Sequence, residues 1–231
     1  MAPEKTRIIK MFDDISPRYD FLNHFLSFGI DHCWRKKVTR ILKRENPSNL
    51  LDVATGTGDL ALALSKLKIH SITGIDISPN MLMIAKEKIK RKSPDSPVDL
   101  REGDAEHIPF PDDRFDAATV AFGVRNFENL EAGIREMRRV IRPEGMVVIL
   151  EFSQPENPFF RSLYKLYSKF YIPAAGKWIS GNSHAYCYLP ESAALFPSGE
   201  KFLGILTRCG FKDCKLKKLS FGIATIYTGR K

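Results

Sequence analysis

Between Leu51 and Leu60 the chain reads LDVATGTGDL, a short apolar run, a loop with two glycines, and then a helical pattern. Few features restrict a fold more. A strand that feeds a glycine loop and then a helix lets backbone approach a ligand closely. The helix start also presents free N–H groups to an anion. Gly56, Gly58 and Ala61 satisfy G-x-G-x-x-A, the dinucleotide fingerprint, but the match alone is weak and also fits a plain tight turn.

The surroundings repeat the same unit. Strands are expected at Asn49–Ala54, Ser71–Asp76, Val98–Glu102, Ala117–Phe122 and Met146–Phe152. Helices are expected over Leu60–Leu67, from Pro79 (with Ser78 as cap) to about Arg91, and over Leu130–Ile141, stopped by Pro143 and Gly145. Continuous apolar strands alternating with helices predict a parallel sheet covered on both faces. Residues 1–46 read as helical up to the break at Asn46-Pro47. Beyond 153, Phe159–Tyr171 reads as a helix and an irregular aromatic stretch runs to about Phe196. Ser198–Cys209 reads as a further helix, and Phe211–Lys217 and Ile223–Thr228 as two closing strands. The expectation is one domain over 1–231, with 1–46 as a helical lid and 153–197 as an aromatic-rich insertion over the site.

Acidic residues at the strand ends refine the ligand. Asp52 and Asp59 flank the glycine loop, where they would repel a pyrophosphate and suit an ammonium. Asp76 closes the second strand, placed to accept from ribose hydroxyls. Gly103-Asp104-Ala105 closes the third, placed to accept from an adenine amine. Ammonium, ribose and adenine acceptors at three successive strand ends describe S-adenosylmethionine. Over roughly residues 49–152 the sequence resembles the class I methyltransferases, which implies an α/β, Rossmann-like fold with a mostly parallel seven-stranded sheet and helices on both faces. The run GDAEHIPFPDDRFD over 103–116, common in small-molecule methyltransferases, agrees.

Three further stretches, FDDISPRYDFLNHFLSFGIDHCWR at 12–35, VAFGVRNF at 120–127 and RVIRPEGMVVILEFS at 139–153, resemble the ubiquinone/menaquinone biosynthesis C-methyltransferase family. The resemblance runs nearly end to end. A first signature is met by Tyr19, Asp20, Asn23, Leu26 and Ser27, with Leu22 in place of its methionine and Asp31 in place of a histidine. A second is met with Arg142 for lysine and Glu144 for a glycine. The resemblance implies cofactor contacts at Thr57, Asp76, Asp104 and Ala105, beside Asp52, Gly56 and Gly58 of the loop. It implies methylation of a ring carbon of a prenylated quinol, with demethylmenaquinol preferred over the ubiquinone precursor.

Ring C-methylation needs an ionised hydroxyl to load charge on the adjacent carbon, and a base to take the ring proton. Candidates are Arg125 and Asn126 after the fourth strand, and Tyr19 and Asp20 on the lid. Glu151 and Ser153 are further polar groups with equally good structural roles, and His184, a lone loop histidine tempting as a base, is more often a bystander. A guanidinium rarely deprotonates, so Arg125 is expected to stabilise a phenolate. Asn157-Pro158-Phe159-Phe160 resembles an amino-methylation motif, but it follows the wrong strand and is read as a helix start.

The formal charge of +9 leaves nucleic acid, anionic lipid and acidic substrates open. Arg161, Lys165 and Lys169 form a basic stripe beside the aromatic face of 159–171, which suits a transient contact with an anionic membrane surface as well as a plain core helix. A nucleic-acid methyltransferase, an NAD-dependent oxidoreductase and an idle adaptor of the same fold are the rival readings; no nucleic-acid partner is expected. No apolar run reaches eighteen residues, the opening residues lack a signal peptide's apolar stretch, and the four cysteines show no metal spacing. A cytoplasmic protein without a metal, peripheral on the inner face of the cell membrane, is expected.

Overall fold

The computed structural model describes residues 4–167, 170 and 183–231. Seven strands form one sheet in the order β3-β2-β1-β4-β5-β7-β6. They are β1 (Asn49–Val53), β2 (Ser71–Asp76), β3 (Val98–Glu102), β4 (Phe115–Ala121), β5 (Ile141–Phe152), β6 (Lys212–Leu219) and β7 (Ala224–Arg230). β7 alone runs against both its neighbours, and β1 pairs in parallel with both β2 and β4. Strand order reverses between β1 and β4, and that switch point opens a crevice at their carboxyl ends.

Alternation along each strand sorts the core. Leu51, Val53, Ala118, Val120, Val147 and Ile149 face one layer, with Ile134 and Met137 of α5 (Leu130–Val140) and Phe202 and Leu206 of α8 (Glu200–Arg208). Leu50, Ala117, Val148 and Leu150 face the other, against Trp34, Val38 and Leu42 of α2 (Ile30–Glu45) and Leu60 and Leu64 of α3 (Asp59–Leu64). Trp34, Val38 and Leu42 recur every four residues, so one stripe of α2 enters the core. Each such side chain contributes roughly 1.5–3 kcal/mol by burial.

Starts and stops follow local chemistry. Ser78 Oγ accepts from Met81 N at 3.2 Å, and Pro79 opens α4 (Pro79–Lys92). Asn157 caps α6 (Pro158–Leu166) through Phe159 N at 3.0 Å, so Asn157-Pro158 is a helix start as expected.

Three expectations change. Residues 1–46 are two helices, α1 (Lys5–Leu26) and α2, split at Ser27–Gly29, where Phe28 (φ 51°) and Gly29 (φ 71°) turn left-handed. α2 packs in the core, so α1 is the part that lies over the site. α5 ends at Val140, ahead of Pro143: Ile141 is already extended, and 142–145 bulge out of β5 before it rejoins β4 at Met146. Part of the expected irregular stretch is helical, α7 (Ser183–Leu195), with Pro190 inside it. Lys169 and the side chains of Lys165 and His184 lie outside the described residues. Among the described residues, no helix is long and apolar enough to cross a membrane.

Candidate active site

The carboxyl ends of β1, β2 and β3 form one end of a cavity of about 510 Å³ lined by the loop Ala54–Thr57, by Asp76 and by Gly103–Glu106. Asp76 is nearly buried. Its carboxylate accepts from Gly56 N–H at 2.7 Å and Ser78 N–H at 2.9 Å. Burial pushes its carboxyl above the usual carboxylate range, against those N–H donors. Gly56 needs its positive φ of 57°, and a Cβ there would enter open space, so the loop's backbone faces the cavity.

Asp104 accepts from Lys5 Nζ at 2.7 Å and from Glu106 N–H at 2.9 Å. Burial raises its carboxyl, but the Lys5 ammonium and that N–H outweigh burial and hold it below its ordinary value. Ala105 lines the cavity beside it.

The structure separates three expected cofactor groups from the cavity or from their expected partners. Asp52 lies beneath the loop, 1% exposed, and accepts from Thr55 Oγ1 and Thr119 Oγ1, both at 2.7 Å. Burial pushes its carboxyl up to about 6. It is a floor bolt and does not line the cavity. Gly58 sits at the start of α3 with φ 79°, where a Cβ would come within 3.1 Å of Ala85 Cβ; it serves helix packing. Asp59 lines the cavity, but Lys88 Nζ lies 2.8 Å and Arg35 Nη2 3.6 Å from its carboxylate. Burial raises the Asp59 carboxyl, and these two cations reverse the shift. Asp52, outside the cavity, does not face an ammonium, whereas at Asp59 an ammonium would share the carboxylate with Lys88.

α1 roofs this end. Besides Lys5 on Asp104, Asp13 accepts from Ser78 Oγ, and Asp20 accepts from Thr57 Oγ1 and pairs with Lys88. Asp20, expected near the reacting atoms, is thus absorbed in holding α1 to the loop and does not line the cavity. Thr57 lines it.

The other end of the cavity is aromatic. Phe122, Phe152, Phe160, Tyr164 and Tyr167 line it, together with Trp34 and Ile223. Tyr19, Asn23, Arg125 and Asn126 line the cavity too, and the Tyr19 phenol interacts with both Asp76 of the first end and Arg125, which lies beside Phe152 of the other. Arg125 lies in the turn Val124–Asn126 that follows β4, and Glu151 lies near the end of β5. Arg125 Nη1 donates to Glu151 Oε1 at 2.7 Å and to the Phe122 carbonyl at 2.6 Å. Its guanidinium lies 5.2 Å from the Phe152 ring centroid. Burial works against its charge, but Glu151 outweighs burial and holds it protonated. Burial pushes the Tyr19 phenol up, against Arg125 and an Asn23 hydrogen bond. Asn126 Oδ1 accepts from Tyr188 O–H at 2.9 Å, which leaves the amide nitrogen to donate elsewhere. Burial raises the Tyr188 phenol as well.

Glu151, weighed between catalysis and structure, is fully buried and accepts from Phe152 N–H as well as from Arg125. Ser153 bonds the Gly222 carbonyl and Thr225 Oγ1, each at 2.8 Å, away from the cavity. The residues that sequence reasoning passed over are Arg35 and Tyr188. Arg35 lines the cavity above the Phe122 ring at 5.5 Å, with Nε buried and unpartnered. Arg35 closes the family-like stretch 12–35 with no signal of its own, and Tyr188 lies outside the three stretches that carry the resemblance. His24, Asp31 and His32 bring ligand-type atoms within 4.8 Å of one another, but the Arg35 guanidinium already sits on Asp31.

Residues 1–231 match the profile described as the ubiE/COQ5 methyltransferase family. The chain is similar to the demethylmenaquinone methyltransferase of Bacteroides fragilis, 43% identical over 226 residues, covering 97% of this chain and 92% of that one. It is similar to the ubiquinone/menaquinone biosynthesis C-methyltransferase UbiE of Geotalea daltonii, 45% identical over 227 residues, covering 97% and 96%. Among solved structures it resembles the [4+2]-cyclase SpnF (TM-score 0.70, 20% identity, 100% and 97% covered). It also resembles a putative S-adenosyl-L-methionine-dependent methyltransferase of Methanococcus maripaludis (TM-score 0.66, 20% identity, 95% and 94% covered). A cyclase and a methyltransferase on one scaffold show that these two likenesses carry the fold alone.

Proposed function

The chain belongs to the ubiE/COQ5 methyltransferase family, and from that premise we propose that it methylates a ring carbon of demethylmenaquinol, a prenylated naphthoquinol. It is an S-adenosylmethionine-dependent methyltransferase of menaquinone biosynthesis. Both relatives' names include menaquinone, and one of the two adds ubiquinone, which supports the naphthoquinol over the benzoquinol.

One observation carries the reading: a single cavity joins an acidic, backbone-lined end to an aromatic end, with Arg125, Asn126 and Tyr19 at the junction. The acidic end fits the cofactor. Asp76 stands where ribose hydroxyls can donate to it, Asp104 where an adenine amine can, and the Gly56 loop leaves room for close approach. When bound there, S-adenosylmethionine supplies an electrophilic methyl group.

The chain's own groups do the rest. A quinol hydroxyl that loses its proton places negative charge on oxygen and on the adjacent ring carbon. Arg125, kept cationic by Glu151, stabilises that phenolate. Tyr19, kept protonated by burial, donates a hydrogen bond, and the Asn126 amide nitrogen offers another. The aromatic wall holds the ring flat and excludes water, so carbon and methyl stay aligned. The carbon that takes the methyl then gives up its ring proton as aromaticity returns, and that proton passes to solvent, so one proton leaves for each methyl gained.

A cytoplasmic protein that touches an anionic membrane surface fits both the +9 charge and a bilayer-resident substrate. The test is transfer of labelled methyl to demethylmenaquinol beside a benzoquinol analogue, each reduced and oxidised. Transfer to the reduced naphthoquinol is expected, because an oxidised ring has no hydroxyl to ionise. Preference for the benzoquinol, or equal turnover of quinone and quinol, would reject the reading.

A further inference from the structure

We infer that the gap between the α1–α2 turn and α6 is the port through which an isoprenoid tail leaves the cavity, and that the apolar rim around it seats in a lipid surface with anionic headgroups. The inference rests on the prenylated-quinol reading and adds where the tail runs and what covers the rim.

A cavity wall residue that is also well exposed marks a mouth. Phe28 is 68% exposed, Ile30 42% and Leu163 55%, and all three line the cavity. They stand on two jaws, the turn that joins α1 to α2 and the middle of α6. Tyr167 O–H donates to the Leu26 carbonyl, and the Tyr167 ring lies 6.2 Å from that of Phe28, so the jaws meet at one corner. Both jaws are apolar, which suits a hydrocarbon chain and not the charged end of the cofactor.

The apolar surface continues outward from this mouth. Phe159 is 71% exposed and Leu166 58%, both on α6. Phe221, 71% exposed, stacks on the cavity-lining Phe160 at 4.1 Å. Of the eleven exposed large apolar side chains among the described residues, these six stand on the two jaws or against Phe160, so the mouth holds the larger share. Large aromatic groups left in water around the opening of a cavity mark an interaction surface.

Charge selects lipid as the occupant. α2 begins at the mouth with Ile30, and Lys37, two turns on, stands on the same helix face about 10 Å further along the axis. Arg40, three residues beyond Lys37 and so beside it on the helix surface, is exposed. The acids of α2 are already engaged, Asp31 by His24 and Arg35, and Glu45 by Arg230. Cations behind an apolar rim match anionic headgroups over an acyl layer. Arg161, expected in the basic stripe, instead donates to the carbonyls of Pro155 at 3.0 Å and Glu156 at 3.2 Å, so α2 supplies the better-placed charge.

The test uses the full chain with vesicles of phosphatidylcholine alone and of phosphatidylcholine mixed with phosphatidylglycerol. Wild type is expected to sediment with the anionic vesicles, less at high salt, and weakly with the neutral ones. Phe159→Glu with Leu166→Glu should lower anionic-vesicle binding, and raise KM for vesicle-borne long-tailed quinol, by about tenfold or more. Lys37→Glu with Arg40→Glu should lower binding roughly 25-fold, two cations at about fivefold each. None of these four residues lines the cavity, so turnover of a tail-less, water-soluble quinol should stay at the wild-type rate. Met83→Glu, on the exposed face of α4, is the control and should change nothing. Tail-less turnover in each variant reports folding, and Phe159→Ser with Leu166→Ser carries the same reading should the glutamates unfold the protein. Sedimentation of either pair at the wild-type level would overturn the inference, as would wild-type retention by an acidic protein matrix but not by vesicles. Failure of wild type to methylate any quinol would instead reject the functional reading, while sedimentation still reads the rim.

Discussion

Arg125 and Glu151, on different strand ends, form an ion pair at 2.7 Å in which the side chains are 1% and 0% exposed. Removing one partner of such a pair leaves an uncompensated buried charge, at a cost of about 3–5 kcal/mol. Glu151→Met and Arg125→Met should each lower stability by about that amount, and the double variant should recover much of it. Urea denaturation of the single and double variants measures the coupling. If the two single losses simply add in the double variant, the pair does not act as a unit. Activity should stay low in the double variant even where stability returns, since the phenolate then has no cation.

Asp76 ties the glycine loop to the end of β2 through Gly56 N–H and is also the expected ribose acceptor. Asp76→Ala should weaken S-adenosylmethionine binding about tenfold to a hundredfold, roughly 1.5–3 kcal/mol for hydrogen bonds to a charged acceptor. Calorimetry on the folded variant checks this. Unchanged affinity would place the ribose elsewhere.

The sheet was readable because its signals are local. β2 and β3 run Ser71–Asp76 and Val98–Glu102 as expected, each closed by an acid, and Ser78-Pro79 starts a helix by its own chemistry. Signals that need tertiary context were not. Arg125 and Glu151 are 26 residues apart and meet only because β4 pairs with β5; Asp20 finds Thr57 across 37 residues. Asp52 read as a ligand group because a carboxylate at a strand end looks the same in sequence whether it faces the cavity or the hydroxyls beneath it. A helix runs through 183–195, part of the stretch expected to be irregular, with Pro190 inside it.

α1 is fastened over the cofactor end by Lys5 on Asp104, Asp13 on Ser78 and Asp20 on Thr57 and Lys88. Lys5 holds the same carboxylate that an adenine amine would use. Lys5→Ala should therefore speed both cofactor association and release. Stopped-flow fluorescence can follow this through Trp34, which lines the cavity. Rates equal to wild type would mean that α1 does not gate entry.

Asp52 should leave a mark on stability against pH. Its carboxyl, ordinarily near 3.8, is pushed up to about 6 by burial, against the hydroxyls of Thr119 and Thr55. The folded state then binds the proton more tightly than the unfolded one. Between about pH 4 and pH 6 the folded protein carries more of that proton, so the contribution of Asp52 to stability is full below pH 4 and is lost as pH rises through 6. A shift of about two units corresponds to roughly 3 kcal/mol. The Asp52→Asn variant has no proton to lose at this position, so wild-type stability relative to it should fall by about that amount from pH 4 to pH 7 and stay level above. Asp76 and the other acids titrate in both proteins and largely cancel in the difference. Urea midpoints across this range supply the curve, and a flat difference would mean that Asp52 titrates normally. The carboxylate is costly at neutral pH, yet it accepts from Thr55 at the entry of the glycine loop and from Thr119 on β4 at once. An amide, with one oxygen acceptor, cannot receive both hydroxyls equally well. The same variant that relieves the buried charge should therefore loosen the loop, and its cofactor affinity should fall even where its stability rises.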